Sequence, residues 1–120
     1  MKMRPTLILL ALLAPGGAMA AQLWCMPDTI CRTGGACHAT TDTETSVRLN
    51  DKDSATPSLR THAEDVALTR THNGASVQWQ GVSADGADEI LAWRPADGSF
   101  VYLIRSQGRE VRATGRCDIQ

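Results

Sequence analysis

Asp65-Val66-Ala67-Leu68-Thr69-Arg70-Thr71-His72-Asn73-Gly74-Ala75-Ser76-Val77-Gln78-Trp79-Gln80 is the stretch on which the fold is decided. Apolar and polar residues alternate on both sides of Asn73-Gly74, and a period of two marks a strand with one buried face. Asn-Gly is the favoured central pair of a type I′ turn, because both positions take positive φ. A two-residue loop there sets Leu68 opposite Trp79 and Arg70 opposite Val77. One face of the hairpin then carries Val66, Leu68, Val77 and Trp79. The other carries Ala67, Thr69, Thr71, Ser76, Gln78 and Gln80.

The same period continues outward in both directions. Glu89–Arg94 and Ser99–Ser106 read as strands joined by the turn Pro95-Ala96-Asp97-Gly98, with Phe100, Tyr102 and Ile104 on one face. Gln107-Gly108 reverses the chain into Glu110–Cys117. A two-residue loop there pairs Ile104 with Val111, Tyr102 with Ala113, and Arg105 with Glu110 as opposite charges. Upstream, Thr45–Asn50 alternates Val47 and Leu49, Asn50–Pro57 is a polar loop, and Ser58–Thr61 or the Trp24 region supplies a further strand. No helical periodicity follows residue 40. The expected fold is all-β: an antiparallel meander closing into a small barrel of roughly six to eight strands, or a strongly curled sheet. Trp79, Trp93, Phe100 and Tyr102 are expected in its core. Ile90, Ala92, Val101 and Leu103 fall on the opposite face, where a half-buried strand should be polar. Residues 21–42 are expected to cover them, the alternative being a patch open to a partner.

The chain has 120 residues, of which the first twenty read as an export signal. Lys2 and Arg4 form its positive start, Thr6–Ala14 its apolar run, and Ala18-Met19-Ala20 the small-residue site after which a signal peptidase cuts. Nine apolar residues cover less than half of a hydrocarbon layer about 30 Å thick, so this run is not a membrane span. The expected organisation is a signal at 1–20, an irregular cysteine-rich segment at 21–42 and an antiparallel β domain at 43–120. Lys and Arg total 12 against 13 Asp and Glu; without Lys2 and Arg4 the balance is 10 against 13, or −3. A mildly acidic chain argues against nucleic-acid binding and against a polybasic membrane-surface role.

Cys25, Cys31, Cys37 and Cys117 all follow the signal, and an even count in a small exported domain reads as two disulfides. Three pairings are open. Each ties one of the first three cysteines to Cys117, and closing so long a loop restricts the unfolded chain most. The spacing is neither C-x2-C with a histidine pair, as zinc asks, nor the C-x-x-C of a redox centre. No metal and no cofactor is expected.

A catalytic constellation is missing as well. There is no nucleophile turn of the G-x-S-x-G kind, and His38, His62 and His72 sit in polar segments. Asp51-Lys52-Asp53 lacks the glycine and closing glutamate of a calcium loop. Asp85, Asp88 and Glu89 cluster around Gly86, but a catalytic carboxylate pair needs one member raised by burial, nothing in the sequence shows one of them to be buried, and a solvated turn is expected. The reading is therefore non-enzymatic. Arg105, Arg112 and Arg116 lie on one face of the last hairpin with Arg109 at its turn. Arginine forks take carboxylate or phosphate, which makes this strip a candidate anion site that Glu110 partly neutralises.

With the strands in place, Gly81-Val82-Ser83-Ala84-Asp85-Gly86-Ala87, the strand ending in Trp93-Arg94, the strand with Tyr102 and the terminal Cys117 resemble the MliC-type periplasmic inhibitors of C-type lysozyme. Val47-Arg48-Leu49-Asn50 is similar to that family's early strand. The resemblance covers roughly residues 45–118. It implies a small antiparallel barrel with a disulfide from first strand to last, and inhibition by a Ser-Gly-x-x-Tyr loop inserted into the lysozyme cleft with help from a nearby basic residue. Carried across, Ser83, Asp85, Gly86 and Ala87 occupy the loop and Arg94 is the nearest basic counterpart. Asp85 stands where the family has serine and Glu89 where it has tyrosine, so acidic groups replace hydrogen-bonding ones opposite an acidic cleft. The expected function is a periplasmic or secreted binding protein whose partner is a lysozyme-like hydrolase or another envelope protein. The alternative is a carrier of a small apolar or anionic ligand. Oligomeric state is left open.

Overall fold

The structure, a computed structural model, describes residues 21–40, 46–61 and 64–120. The expected signal at 1–20, Thr45 and His62 lie outside the described residues. Ten strands follow in chain order: β1 Leu23–Arg32, β2 His38–Ala39, β3 Val47–Asn50, β4 Ser58–Arg60, β5 Asp65–Ala67, β6 Thr69–Asn73, β7 Ser76–Val82, β8 Asp88–Trp93, β9 Ser99–Ser106 and β10 Arg109–Ile119. All pair antiparallel in one sheet of order β5-β4-β3-β1-β10-β9-β8-β7-β6, with β2 attached to β1. The nine strands on that path curl into a nearly closed barrel.

The seam of the barrel explains why nine strands form where six to eight were expected. Both optional strands pair, the Trp24 region as β1 and Ser58–Arg60 as β4. The expected strand through Asp65–Asn73 also breaks at Leu68: its first half pairs with β4 and its second with β7. That hand-over brings β5 against β7. A Cβ on Gly81 would stand 2.3 Å from the Ala67 carbonyl oxygen and 2.9 Å from a Leu68 methyl. Only glycine lets the two backbones approach this closely.

Alternation then fills the interior. Leu23, Cys25, Val47, Leu49, Leu59, Val66, Leu68, Trp79, Leu91, Trp93, Phe100 and Tyr102 form a buried cluster, with Val77, Ile104 and Val111 packed against it. The four aromatics expected in the core are all there. Trp24 lies on the outside, with the Arg48 guanidinium 5.1 Å above its ring.

The hairpins test the turn chemistry directly. Gln107 and Gly108 both take positive φ (53° and 79°), as a type I′ turn demands, and the pairs Ile104–Val111, Tyr102–Ala113 and Arg105–Glu110 form as expected. At Asn73-Gly74 the loop moves on by one residue. Asn73 pairs with Ser76, Gly74 takes φ 63° at the first central position, and Arg70 rather than Leu68 lies opposite Trp79. Glycine at that position is the mark of a type II′ turn, which leaves Asn73 free to extend the strand. The shift preserves parity, so Val66, Leu68, Val77 and Trp79 still share the inner face.

Residues 21–42 depart furthest from expectation. Instead of an irregular cover they contain β1, which pairs with β10 from Leu23–Ile119 to Arg32–Val111 and with β3 on its other side. Pro27 and a bulge between Pro27 and Thr29 obscure its period of two in sequence. Because this segment is part of the wall, it does not cover the outer face of β8 and β9. Ile90, Ala92, Val101 and Leu103 stay half-exposed there. Cys25 and Cys117 are directly opposed on β1 and β10 and joined by a disulfide, while Cys31–Cys37 closes the turn leading to β2. Both disulfides fit an oxidising environment. No helix among the described residues is long and apolar enough to cross a membrane.

Candidate functional site

The barrel has two mouths. One is rimmed by the turns 33–37, 83–87 and 107–108 and by Thr61 and Glu64; the other by the turns 51–57, 74–75 and 94–98 and by residues 21–22 and 118–120. The 83–87 turn is the candidate site, and its shape follows from Ser83. The Ser83 amide donates to the Ala87 carbonyl at 2.9 Å, and the Gly86 amide to the Ser83 carbonyl at 2.9 Å. Gly86 takes φ 89°. This is a three-residue hairpin loop with glycine at its left-handed position. The Ser83 hydroxyl donates to Asp85 Oδ1 and accepts from the Ala87 amide at 3.2 Å, and Asp85 Oδ1 also accepts from that amide at 3.3 Å. The Ser83 hydroxyl, then the Ala87 amide, hold the Asp85 carboxyl below the usual carboxylate range. Ser83 and Ala87 are buried, whereas Ala84, Asp85 and Gly86 face solvent.

A second tie fixes the loop to the body. The Ala84 amide donates to Glu64 Oε2 at 3.0 Å, and Glu64, just before β5, is itself held by bonds to Thr61. Beside the loop lies an open cleft of about 450 Å³, lined by Gly86, Asp88, Arg105, Ser106, Gln107, Gly108, Arg109 and Glu110. Its far wall is anchored through Thr33, whose hydroxyl accepts from the Glu110 amide at 2.6 Å and whose amide donates to the Glu110 carbonyl at 2.9 Å.

The three clustered carboxylates separate. Asp85 and Asp88 are exposed, but Glu89 is 6% exposed and points into the barrel, where Tyr102 donates its hydroxyl proton to Glu89 Oε1. Burial, and then the facing Glu89 carboxylate, push the Tyr102 phenol above its ordinary value. For Glu89 the expected solvated turn is overturned: the period of two that puts Leu91 and Trp93 inside also puts Glu89 inside, so this placement was readable from sequence. Glu64 and Thr33 were not. Each acts across a gap of 20 or more residues, onto Ala84 and Glu110, and neither belongs to a motif.

Other expected site residues do not gather here. Arg94 sits past the far end of β8, a six-residue strand about 20 Å long, at the opposite mouth. The arginine strip divides into two groups. Arg105 and Arg112 share Glu110, at 2.9 and 3.8 Å, while Arg94 and Arg116 both attract Asp97. The amide and hydroxyl of Ser99 do more than either arginine to hold that aspartate below its usual range. Each arginine group therefore already faces a carboxylate. Among the described residues no three His, Cys, Asp or Glu side chains converge as a metal site, and His38 and His72 are exposed. Compared with known proteins, the chain matches no family model, no curated protein and no solved structure.

Proposed function

We propose that this chain is an exported, non-enzymatic binding protein of the periplasm or extracellular space, cleaved after Ala20, that engages a protein partner through the Ser83–Glu89 loop. The observation that carries the reading is the construction of the apex: Ala84-Asp85-Gly86 stand in solvent while Ser83, Ala87 and Glu64 fix them by hydrogen bonds. A loop ordered before binding loses little freedom on docking, which favours insertion into a concave partner surface. The adjoining cleft, with Asp88, Arg105 and Arg109 on its walls, supplies a charged rim around that apex.

The partner that the loop's resemblance implies is a lysozyme-like hydrolase. Burial of Glu89 bears on this choice, since it leaves Asp85 as the one acidic substitution that the loop presents. The test is the turbidity of a bacterial cell-wall suspension cleared by a C-type lysozyme, with and without residues 21–120. Clearing is expected to slow with rising protein and to saturate. Asp85→Ser, which relieves the charge opposite an acidic cleft, is expected to inhibit more strongly. Clearing that stays unchanged for both proteins at all concentrations would remove the lysozyme reading.

A further inference from the structure

We propose that the mouth opposite the Ser83–Ala87 loop binds a small monocarboxylate between the Trp93 indole N–H and the Lys52 ammonium. β8 ends at that mouth, and its inward alternation leaves Trp93 only 6% exposed. The Trp93 Nε1 is buried and has no acceptor among the described residues. Folded proteins supply an acceptor to nearly every such donor, so an orphan asks what completes it. The neighbouring indole shows the contrast. Trp79, whose ring centre lies 6.4 Å from that of Trp93, gives its N–H to the Lys52 carbonyl at 3.3 Å.

The charge at this mouth points to the missing group. Lys52 holds its ammonium 5.7 Å from the centre of the Trp93 ring, and its side chain is 14% exposed. Arg70 reaches the same loop, donating to the Lys52 carbonyl at 3.2 Å. Both cations converge on Asp53, at 2.8 and 3.1 Å, and that carboxylate is 65% exposed. An opening of about 380 Å³ adjoins this loop, between Asp53–Pro57 and Leu68–Arg70. Barrel mouths with apolar walls and a few placed polar groups are common ligand sites. A carboxylate accepts from an indole N–H and pairs with an ammonium. Phosphate carries more charge and a tighter water shell, which an apolar mouth is poorly suited to strip.

The chain's three tryptophans give three indole N–H resonances, so the test is a proton–nitrogen NMR titration of residues 21–120 with acetate and butyrate at constant ionic strength. The Trp93 resonance, assigned by its loss in Trp93→Phe or by its perturbation in Lys52→Gln, is expected to shift saturably with Kd on the order of 1 mM. Those of Trp24 and Trp79 are expected to stay in place. Lys52→Gln, which removes the charge but keeps the length, is expected to weaken binding roughly tenfold. A Trp93 resonance that stays fixed up to about 50 mM carboxylate overturns the proposal, as does equal binding by Lys52→Gln. Tighter binding of inorganic phosphate, or the same shift with methylammonium chloride, also overturns it. None of these outcomes depends on the lysozyme assay, which reads the other mouth.

Discussion

Tyr102 is the only tyrosine in the chain, so its ionisation can be followed without interference from any other phenol. In the folded barrel it is 6% exposed and donates to Glu89, and burial with that carboxylate raises its pKa above the ordinary value near 10. In the unfolded chain it titrates normally. A raised folded pKa contributes stability that is fully present below the unfolded value and is lost as pH climbs above it. The unfolded state sheds a proton there that the folded state keeps. Each pH unit above 10 therefore removes about 1.4 kcal/mol, and by pH 11.5 the loss reaches about 2 kcal/mol. The assay pairs two measurements. Urea unfolding at a series of pH values, for wild type and Tyr102→Phe, should show the wild type losing this amount relative to the variant. Tyrosinate absorbance followed alongside circular dichroism should rise only as the barrel opens. A tyrosinate signal with midpoint near pH 10 while the β spectrum is intact would refute the reasoning. So would parallel pH profiles for the two proteins.

Four further outcomes follow from the same geometry. Removing Cys25–Cys117, which spans 92 residues, should cost about 4.6 kcal/mol of unfolding free energy in the chain-entropy account, against about 2.2 for Cys31–Cys37 with its span of 6; paired Cys→Ala variants in urea check the order. Gly81→Ala forces a methyl group onto the Ala67 carbonyl at the seam and should lower stability by about 1–3 kcal/mol, while Gly86→Ala meets no atom and pays only for its positive φ. Ser83→Ala removes the first of the bonds that hold Asp85 below its ordinary pKa. A depressed carboxylate contributes stability that is lost as pH falls through its folded pKa, so in the variant the Asp85 carbon resonance should titrate at higher pH and this acid-side loss should shrink. Glu64→Ala frees the Ala84 amide, whose hydrogen exchange should quicken while that of the core amides in β8 and β9 stays unchanged.

How far the sequence could be read depended on whether the controlling interaction was local. Gln107-Gly108 set its own register, because two adjacent residues with positive φ admit one hairpin geometry. Asn73-Gly74 announced a reversal, but a single glycine is satisfied by two loop placements, and the strand took the one that lets Asn73 pair with Ser76. The aromatic face of β8 and β9 was legible from period two alone. β1 was not, since Pro27 and the bulge after it interrupt the alternation of Leu23, Cys25 and Ile30. The seam at Leu68 depends on β4 and β7 meeting the same strand, a fact that no window of neighbouring residues contains. At the site, the Ser83–Ala87 loop was readable as a turn, whereas its fixation by Glu64 and the anchoring of Glu110 by Thr33 arise only when the barrel closes.

The two mouths differ in a way that follows from where each strand ends. β8 enters the wall at Asp88 with an outward carboxylate and an inward Glu89, and leaves it at Trp93 with an inward indole. One rim therefore carries a buried acid that is satisfied by Tyr102, and the other a buried donor with no partner among the described residues. A buried carboxylate bonded to a phenol is internally complete, so the binding role proposed for that end falls to what lies outside it: the exposed apex and the cleft beside it. An orphan donor under a lysine is incomplete, so the binding role proposed for that end falls to what would enter it. Exchanging the parity of β8 by a single inserted residue would turn Glu89 outward and Trp93 into solvent, abolishing both features together. The fold and its two proposed sites thus rest on one register, that of β8 against β7 and β9.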